Sequence, residues 1–216
     1  PAGRTYTVTE ETDFEGNPTR TIYPSGKEVL YTVNNANQLT SIKLKNGTTT
    51  TNILTAMAYV PLGPMKSALY GDGYTQTRTY DKSYRLSRIK DALGTTRLRE
   101  LTYTYEGRDN LKKVTDLITT TNTETFTYTP RESLTTATGP YGALAYTYDG
   151  VGNRLTSKLG TATDTYTYPA TSNRLSMINL ATGGSRGFTY DASGSVVAEA
   201  RPGGTYGYTY NAAGRM

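Results

Sequence analysis

Aromatic and polar side chains alternate with a period of two along much of the chain, most plainly in Ala145-Tyr146-Thr147-Tyr148. That period places Tyr146 and Tyr148 on one face of an extended strand and Thr147 on the other. Thr and Tyr both suit a half-buried pleated surface. Asp149-Gly150-Val151-Gly152-Asn153 then reads as a reversal, because Asp caps a turn through its side chain and Gly or Asn accepts the positive φ that tight turns need. Arg154-Leu155-Thr156-Ser157 is the return strand. If Tyr148 faces Leu155 across the ladder, each such hairpin contains an aromatic–aliphatic cross-strand pair contributing about 0.2–1 kcal/mol. A second turn, often with glycine as at Gly160 or Gly183-Gly184, leads onward. No segment sustains the 3.6-residue apolar period of a helix.

The hairpin pattern recurs. The clearest copies are YTYDGVGNRLTS from Tyr146, YTYPATSNRLSM from Tyr166, FTYDASGSVVAE from Phe188 and YTYNAAGRM from Tyr208; looser ones start at Arg78, Tyr103 and Phe126. With the second aromatic as marker, the series Tyr80, Tyr105, Tyr128, Tyr148, Tyr168, Tyr190 and Tyr210 has spacings of 25, 23, 20, 20, 22 and 20. Tyr31 and Tyr59 extend it upstream and Tyr6 opens it, so nine to ten copies fill residues 1–216 as a single array. Two strands of about six residues and two turns account for a copy of that length. The predicted fold is all-β: tandem hairpins forming a continuous antiparallel sheet, about 85 Å long if laid flat at 4.8 Å per strand, which accumulated twist curls or spirals. Residues 48–52 and 119–125, both Thr-rich, are expected to be connectors.

Composition narrows the chemistry. The 216 residues include 42 Thr, 22 Gly and 20 Tyr but no His, Cys or Trp. Ser-His-Asp and Cys-His nucleophile systems, Cys/His zinc sites and disulfides are thereby excluded. The net charge of +5 is not clustered into the basic stripe expected of a nucleic-acid binder. No apolar run is long enough to span a membrane as a helix. The chain begins without Met and stops in the middle of a repeat, as expected of a piece of a longer protein.

The tandem YTYDGVGNRLTS, FTYDASGSVVAE and YTYNAAGRM segments resemble the YD repeat, also called the Rhs repeat, and the resemblance covers nearly the whole chain. The segment from Ala58 to Ile89 is similar to upstream repeats of bacterial Rhs proteins, and TDFEGNPTRTIYPSGK to repeats at the start of such arrays. The resemblance implies a β-strip that spirals into a hollow shell, as in bacterial Rhs toxins, the B and C subunits of insecticidal Tc complexes and the extracellular barrel of teneurins. In the toxins the shell encloses a C-terminal toxin. The aspartyl self-cleavage segment that usually ends bacterial Rhs cores carries Asp-Pro and Asn-Pro dipeptides; no Asp-Pro occurs here, and Asn17-Pro18 lies at the opposite end. No protease role carries over.

The candidate residues are therefore structural ones. They comprise the aromatic markers Tyr80, Tyr103, Tyr105, Tyr128, Tyr146, Tyr148, Tyr166, Tyr168, Tyr190, Tyr208 and Tyr210; the turn residues Asp81, Asp149, Asp191, Gly152, Gly194 and Gly214; and the return-strand residues Leu86, Leu155, Leu175, Arg154, Arg174 and Arg215. A catalytic role for the aspartates is disfavoured because the position is Glu106, Thr129, Pro169 or Asn211 in other copies. One carboxylate per turn is too few for calcium. The Tyr rings are read as packing, and the Arg side chains, with Arg85, as stacking on neighbouring Tyr. The expected function is a non-catalytic scaffold, a segment of a shell that encapsulates a toxin or belongs to a large secreted or cell-surface bacterial protein. It has no catalytic, metal or cofactor site; its partners are neighbouring repeats or identical chains, with a toxin cargo or surface glycan, and neither nucleic acid nor membrane insertion. The alternatives are a filament of edge-paired chains, and a glycan- or receptor-binding module using exposed Tyr.

Overall fold

The computed structural model describes residues 6–216. It is all-β, with nineteen strands that, within each compact unit, pair antiparallel with their neighbours in sequence, and a 3-10 turn at Thr120–Asn122 is the one helical segment among the described residues. The chain divides into two compact units, Pro1–Thr104 with Thr115–Thr120, and Tyr105–Val114 with Thr121–Met216. In chain order the strands are β1 (Thr9–Thr12), β2 (Pro18–Ile22), β3 (Glu28–Val33), β4 (Leu39–Asn46), β5 (Thr49–Tyr59), β6 (Met65–Tyr70), β7 (Tyr74–Tyr80), β8 (Leu86–Leu93) and β9 (Thr96–Tyr105). There follow β10 (Leu111–Asp116), β11 (Glu124–Tyr128), β12 (Leu134–Gly139), β13 (Gly142–Tyr148), β14 (Arg154–Leu159), β15 (Ala162–Thr167), β16 (Met177–Asn179), β17 (Ser185–Tyr190), β18 (Val196–Arg201) and β19 (Gly204–Gly207).

Two kinds of reversal alternate. After an aromatic marker comes a three-residue loop ending in a left-handed residue, the type I turn with a G1 bulge common in hairpins. In the β13–β14 hairpin the Asp149 N–H donates to Asn153 O (2.9 Å) and the Gly152 N–H to Asp149 O (3.2 Å), with Gly152 at φ +98°. The Asp149 side chain caps the loop: Oδ1 accepts from the N–H groups of Val151 (3.0 Å) and Asn153 (2.8 Å). At the opposite end of the strands, Gly47, Gly94 and Gly160, all at φ near +58°, open two-residue Gly-Thr loops. Glycine at the first loop position is what a type II′ turn requires.

The loop fixes a register that the alternation alone does not reveal. Thr147 pairs with Thr156, but Tyr148 pairs with Arg154, so Leu155 is the extra residue of a β-bulge. The Tyr148–Leu155 cross-strand pair considered above does not form. The same shift occurs at the same place in the β1–β2, β3–β4, β5–β6, β7–β8, β11–β12 and β17–β18 hairpins. Elsewhere an aliphatic residue takes the paired position, as in Tyr80–Leu86, Tyr128–Leu134 and Tyr190–Val196. Residues 48–52 are also not a connector: Gly47-Thr48 completes the reversal, so Thr49 to Asn52 already belong to β5. In 119–125, the 3-10 turn occupies Thr120–Asn122 and β11 starts at Glu124.

Within each unit the sheet is a single layer, and only Leu54, Ala68, Ala92, Ala137 and Ile178 are buried apolar residues among those described. Three of the five are alanines. In the second unit one face carries the aromatic rings. The other carries Thr, with the hydroxyls of Thr147 and Thr156 (2.7 Å) and of Thr127 and Thr136 (2.5 Å) hydrogen-bonded across the ladder.

The left-handed loop position is Gly152, Gly194 or Gly214 in some copies but Asn37, Tyr84, Asp109 or Glu132 in others, with φ of 57–68° in those four. A Cβ at Gly152 meets nothing within 4 Å, so replacing it tests backbone strain alone. Gly152→Ala should destabilise by about 1 kcal/mol, whereas Glu132→Gly should stabilise by about 0.5–1 kcal/mol. Urea-denaturation midpoints of the two variants check both signs.

Candidate functional site

A β-bulge breaks the ladder locally and leaves backbone polar groups in need of other partners. Here the partner comes from the next hairpin. The Tyr148 hydroxyl donates to the Leu134 carbonyl at 2.8 Å, and Leu134 is the residue paired with Tyr128 at the preceding bulge. The pattern repeats in both units: Tyr59 to Leu39 (2.8 Å), Tyr80 to Met65 (2.7 Å), Tyr128 to Leu111 (2.8 Å) and Tyr210 to Val196 (3.0 Å). One copy is irregular. Pro169 replaces the capping aspartate and Ser172 the left-handed residue, strand structure resumes only at Met177, and the next marker, Tyr190, takes the Leu175 carbonyl instead (2.8 Å).

A second row of ties joins the turns themselves. Asn153 Nδ2 donates to Asn173 Oδ1 (3.0 Å), and Asn17 Nδ2 likewise to Asn37 Oδ1 (3.0 Å), each across twenty residues. Arg131 donates to the Gly150 carbonyl, Arg108 to Pro130 O, and Arg174 to Asp191 O at 3.2 Å. The turn aspartates are engaged in capping: Asp81 Oδ1 accepts from the Ser83 and Arg85 N–H groups, and Oδ2 from Arg85 Nε at 2.7 Å. Burial opposes ionisation of Asp81 and Asp149, but hydrogen bonds from Arg85 and Asn153 outweigh it and hold both below the usual carboxylate range.

The return-strand arginines divide by register. Arg154 lies over the rings of Tyr146 (4.8 Å) and Tyr166 (5.8 Å), and Arg174 over Tyr190 (5.7 Å). Arg85 and Arg215 fall one position earlier relative to their markers, inside the turn: Arg85 bridges to Asp81, and the Arg215 N–H bonds Asn211 Oδ1 (3.0 Å). Burial pushes the Tyr103, Tyr128 and Tyr168 hydroxyls up from their ordinary pKa. Gly194 adjoins Arg174, whose Nη2 sits 3.2 Å from where a Cβ would stand. Leu86 pairs with Tyr80, and Gly214 holds φ +68°.

Three buried carboxylates were not singled out by the repeat pattern. Glu199 accepts from Arg186 (2.5 Å), Arg201 (2.6 Å) and the Tyr208 hydroxyl (3.1 Å). Glu100 is held by Arg88 and by Arg97 (2.8 Å), and Asp91 by Arg99 (2.6 Å) and Gln76 (3.1 Å). The available signal was a carboxylate flanked by Arg two or three positions away, as in Arg97-Leu98-Arg99-Glu100 and Glu199-Ala200-Arg201. Glu100 and Glu199 are each engaged by two arginines and Asp91 by one. No group of three or more His, Cys, Asp and Glu suited to a metal occurs among the described residues, and no described helix is long and apolar enough to cross a membrane.

Successive hairpins, riveted in series by a repeated tyrosine, define the class: a tandem-repeat β-strip. The sequence matches the Teneurin YD-shell family over residues 57–216, and the chain belongs to that family. No curated protein matches it. Among solved structures it is similar to the Tc holotoxin pore of Photorhabdus luminescens (18% identity over 91% of this chain and 13% of that one, TM-score 0.67). It is also similar to TcdB2-TccC3-TEV (18%, 95% and 13%, TM-score 0.69) and to TcdB2-TccC3 without its hypervariable C-terminal region (20%, 90% and 12%, TM-score 0.68). At that identity the likeness is one of fold, and this chain spans about an eighth of those chains' length.

Removing the rivet hydroxyl leaves a part-buried carbonyl without its donor, which costs about 1–3 kcal/mol. Tyr148→Phe should therefore lower stability by about that amount, while Tyr146→Phe, which keeps the ring under Arg154, should change it by under about 0.5 kcal/mol. Paired thermal melts separate the two. Hydrogen bonds from Arg201 outweigh the burial of Glu199 and, with Arg186 and Tyr208, lower its pKa to about 2. Its contribution to stability is fully present above about pH 4.5 and is lost as pH falls toward about 2. Urea midpoints measured from pH 7 to pH 2 should show this loss, and Glu199→Gln should flatten that part of the profile.

Proposed function

We propose that the chain is a non-catalytic structural segment of a YD-repeat shell, one array over residues 1–216, carried by a secreted or cell-surface protein whose wall encloses another polypeptide. The observation that carries the reading is the use made of the reactive-looking groups. The repeated tyrosines hold the bulge carbonyls, the turn aspartates cap their own loops, and the buried acids Glu100 and Glu199 are neutralised by arginine. A chain that commits these groups to capping turns and tying strand to strand and hairpin to hairpin is built to extend a wall. The fold likeness to Tc toxin chains, and the family, support the scaffold role. Enclosure of a cargo extends that reading from the relatives to this chain.

Size-exclusion chromatography with light scattering, followed by negative-stain microscopy of the same sample, tests it. Discrete particles with a curved wall outline are expected. Fibres or an open-ended mass distribution would replace the shell reading by edge-to-edge assembly.

A further inference from the structure

Within the first unit, one groove between successive turns differs from its counterparts. It measures about 370 Å³ and is walled by Val60 and Pro61 of one turn and by Asp81, Lys82 and Tyr84 of the next, with Lys66 and Arg78 on its sides. Tyr84 is the bulkiest residue at the left-handed loop position, with φ +60°. A bulky side chain in that conformation is strained, and such strain is retained where something else requires the side chain. Its ring lies so close to Gly63 that a Cβ there would stand 2.8 Å from Cε1, and its hydroxyl donates to Pro61 O at 3.1 Å. The ring is thus fixed in place, yet the residue is 53% exposed. A rigid aromatic surface is held out to solvent at a conformational cost.

The charge around it is unbalanced. Lys66, Arg78 and Lys82 make no ion pair among the described residues, and the one carboxylate in the groove, Asp81, is already neutralised by Arg85. The Arg78 guanidinium is only partly satisfied: Nη2 donates to Gln76 Oε1 (2.9 Å), and Nε is buried without a partner. An anion in the groove would meet the accessible part of that guanidinium, which lines the groove beside Lys66. The equivalent groove between the Thr129 and Asp149 turns has a single cation, Arg131, which is tied to the Gly150 carbonyl. The one between the Glu106 and Thr129 turns has only Arg108, tied to Pro130 O.

We propose that the groove between Pro61 and Tyr84 binds an acidic saccharide, with its carboxylate against Lys66, Arg78 and Lys82 and a sugar face laid on the Tyr84 ring. A small groove suits one or two sugar residues better than an extended chain, and at the lower end of ligand-site volumes it still encloses a ring. Three local cations match one carboxylate rather than the run of phosphates of a nucleic acid, which needs a continuous basic track. A flat, exposed aromatic face favours a ring ligand over an acidic peptide.

The test uses the full chain and trigalacturonate as probe, with its methyl-esterified form, triglutamate, inorganic sulfate and a short oligonucleotide as comparisons, each titrated by calorimetry. Trigalacturonate should bind saturably with a Kd of about 0.1–1 mM, weakening at high ionic strength. The uncharged ester and the other anions should bind at least about tenfold more weakly. The double variant Lys66→Ala/Lys82→Ala should lose about tenfold in affinity. Tyr84→Gly, which relieves the backbone strain, should lose binding while remaining folded by circular dichroism; Tyr84→Asn, a residue tolerant of that φ, is the substitute if it does not fold. Absence of saturation at about 10 mM, equal binding of triglutamate, sulfate or oligonucleotide, or full affinity in the folded variants would overturn the assignment.

Discussion

The structure depends on one hydrogen bond made many times, from a tyrosine hydroxyl to a carbonyl at the bulge of the preceding hairpin. A lone two-stranded hairpin is marginal in water, and a sheet with no second layer lacks the core that normally supplies stability. Each rivet answers both problems. It satisfies a backbone group that the bulge removed from the ladder, and it lays a large ring across the joint between hairpins, as Tyr148 does at Leu134 and Tyr80 at Met65. Few apolar residues are buried among those described, and three of the five, Ala68, Ala92 and Ala137, are small. Stability in such an array becomes a sum of weak units and strong neighbour terms.

The loop, the bulge and the position of the rivet are linked. The three-residue loop with a left-handed residue sets the bulge, and the bulge exposes the carbonyl. The copy from Tyr168 shows the dependence. Pro169 and Ser172 replace the residues that make the standard loop, the following strand shrinks to Met177–Asn179, and Tyr190 shifts its acceptor by one residue, to Leu175. The turn-to-turn ties, Asn153 to Asn173 and Arg174 to Asp191, fasten the same joints along the loop edge. In the regular copies a hairpin presents its neighbour with an equivalent acceptor, as Leu39, Met65, Leu111, Leu134 and Val196 do.

Much of this was legible in the sequence. The Thr-Tyr alternation gave the strands, Asp149 and Gly152 the turn, and the regular spacing of the markers the array. The bulge was not legible, because a one-residue slip in register leaves the alternation before the turn untouched and only changes which return-strand residue lies opposite. Leu155 and Arg154 exchanged roles for that reason, and Arg85 and Arg215 fell inside turns while Arg154 stacks on tyrosine. The acceptors of the tyrosine hydroxyls are main-chain atoms, which carry no side-chain signature. The buried acids Glu100 and Glu199 were hidden because their partners come partly from other strands, Arg88 and Arg186. The Thr49 to Asn52 segment read as a connector because Thr-rich composition does not distinguish a loop from a solvent-facing strand.

The most direct test of the rivet is whether it couples neighbours, and hydrogen–deuterium exchange with mass-spectrometric readout measures that in the Tyr148→Phe variant. If the hydroxyl joins one hairpin to the next, peptides from the β11–β12 hairpin, which holds the Leu134 acceptor, should lose protection together with those from β13–β14, while distant hairpins stay unchanged. Faster exchange confined to β13–β14, or no change in either hairpin, would contradict the claim that the tyrosine hydroxyl holds the array together.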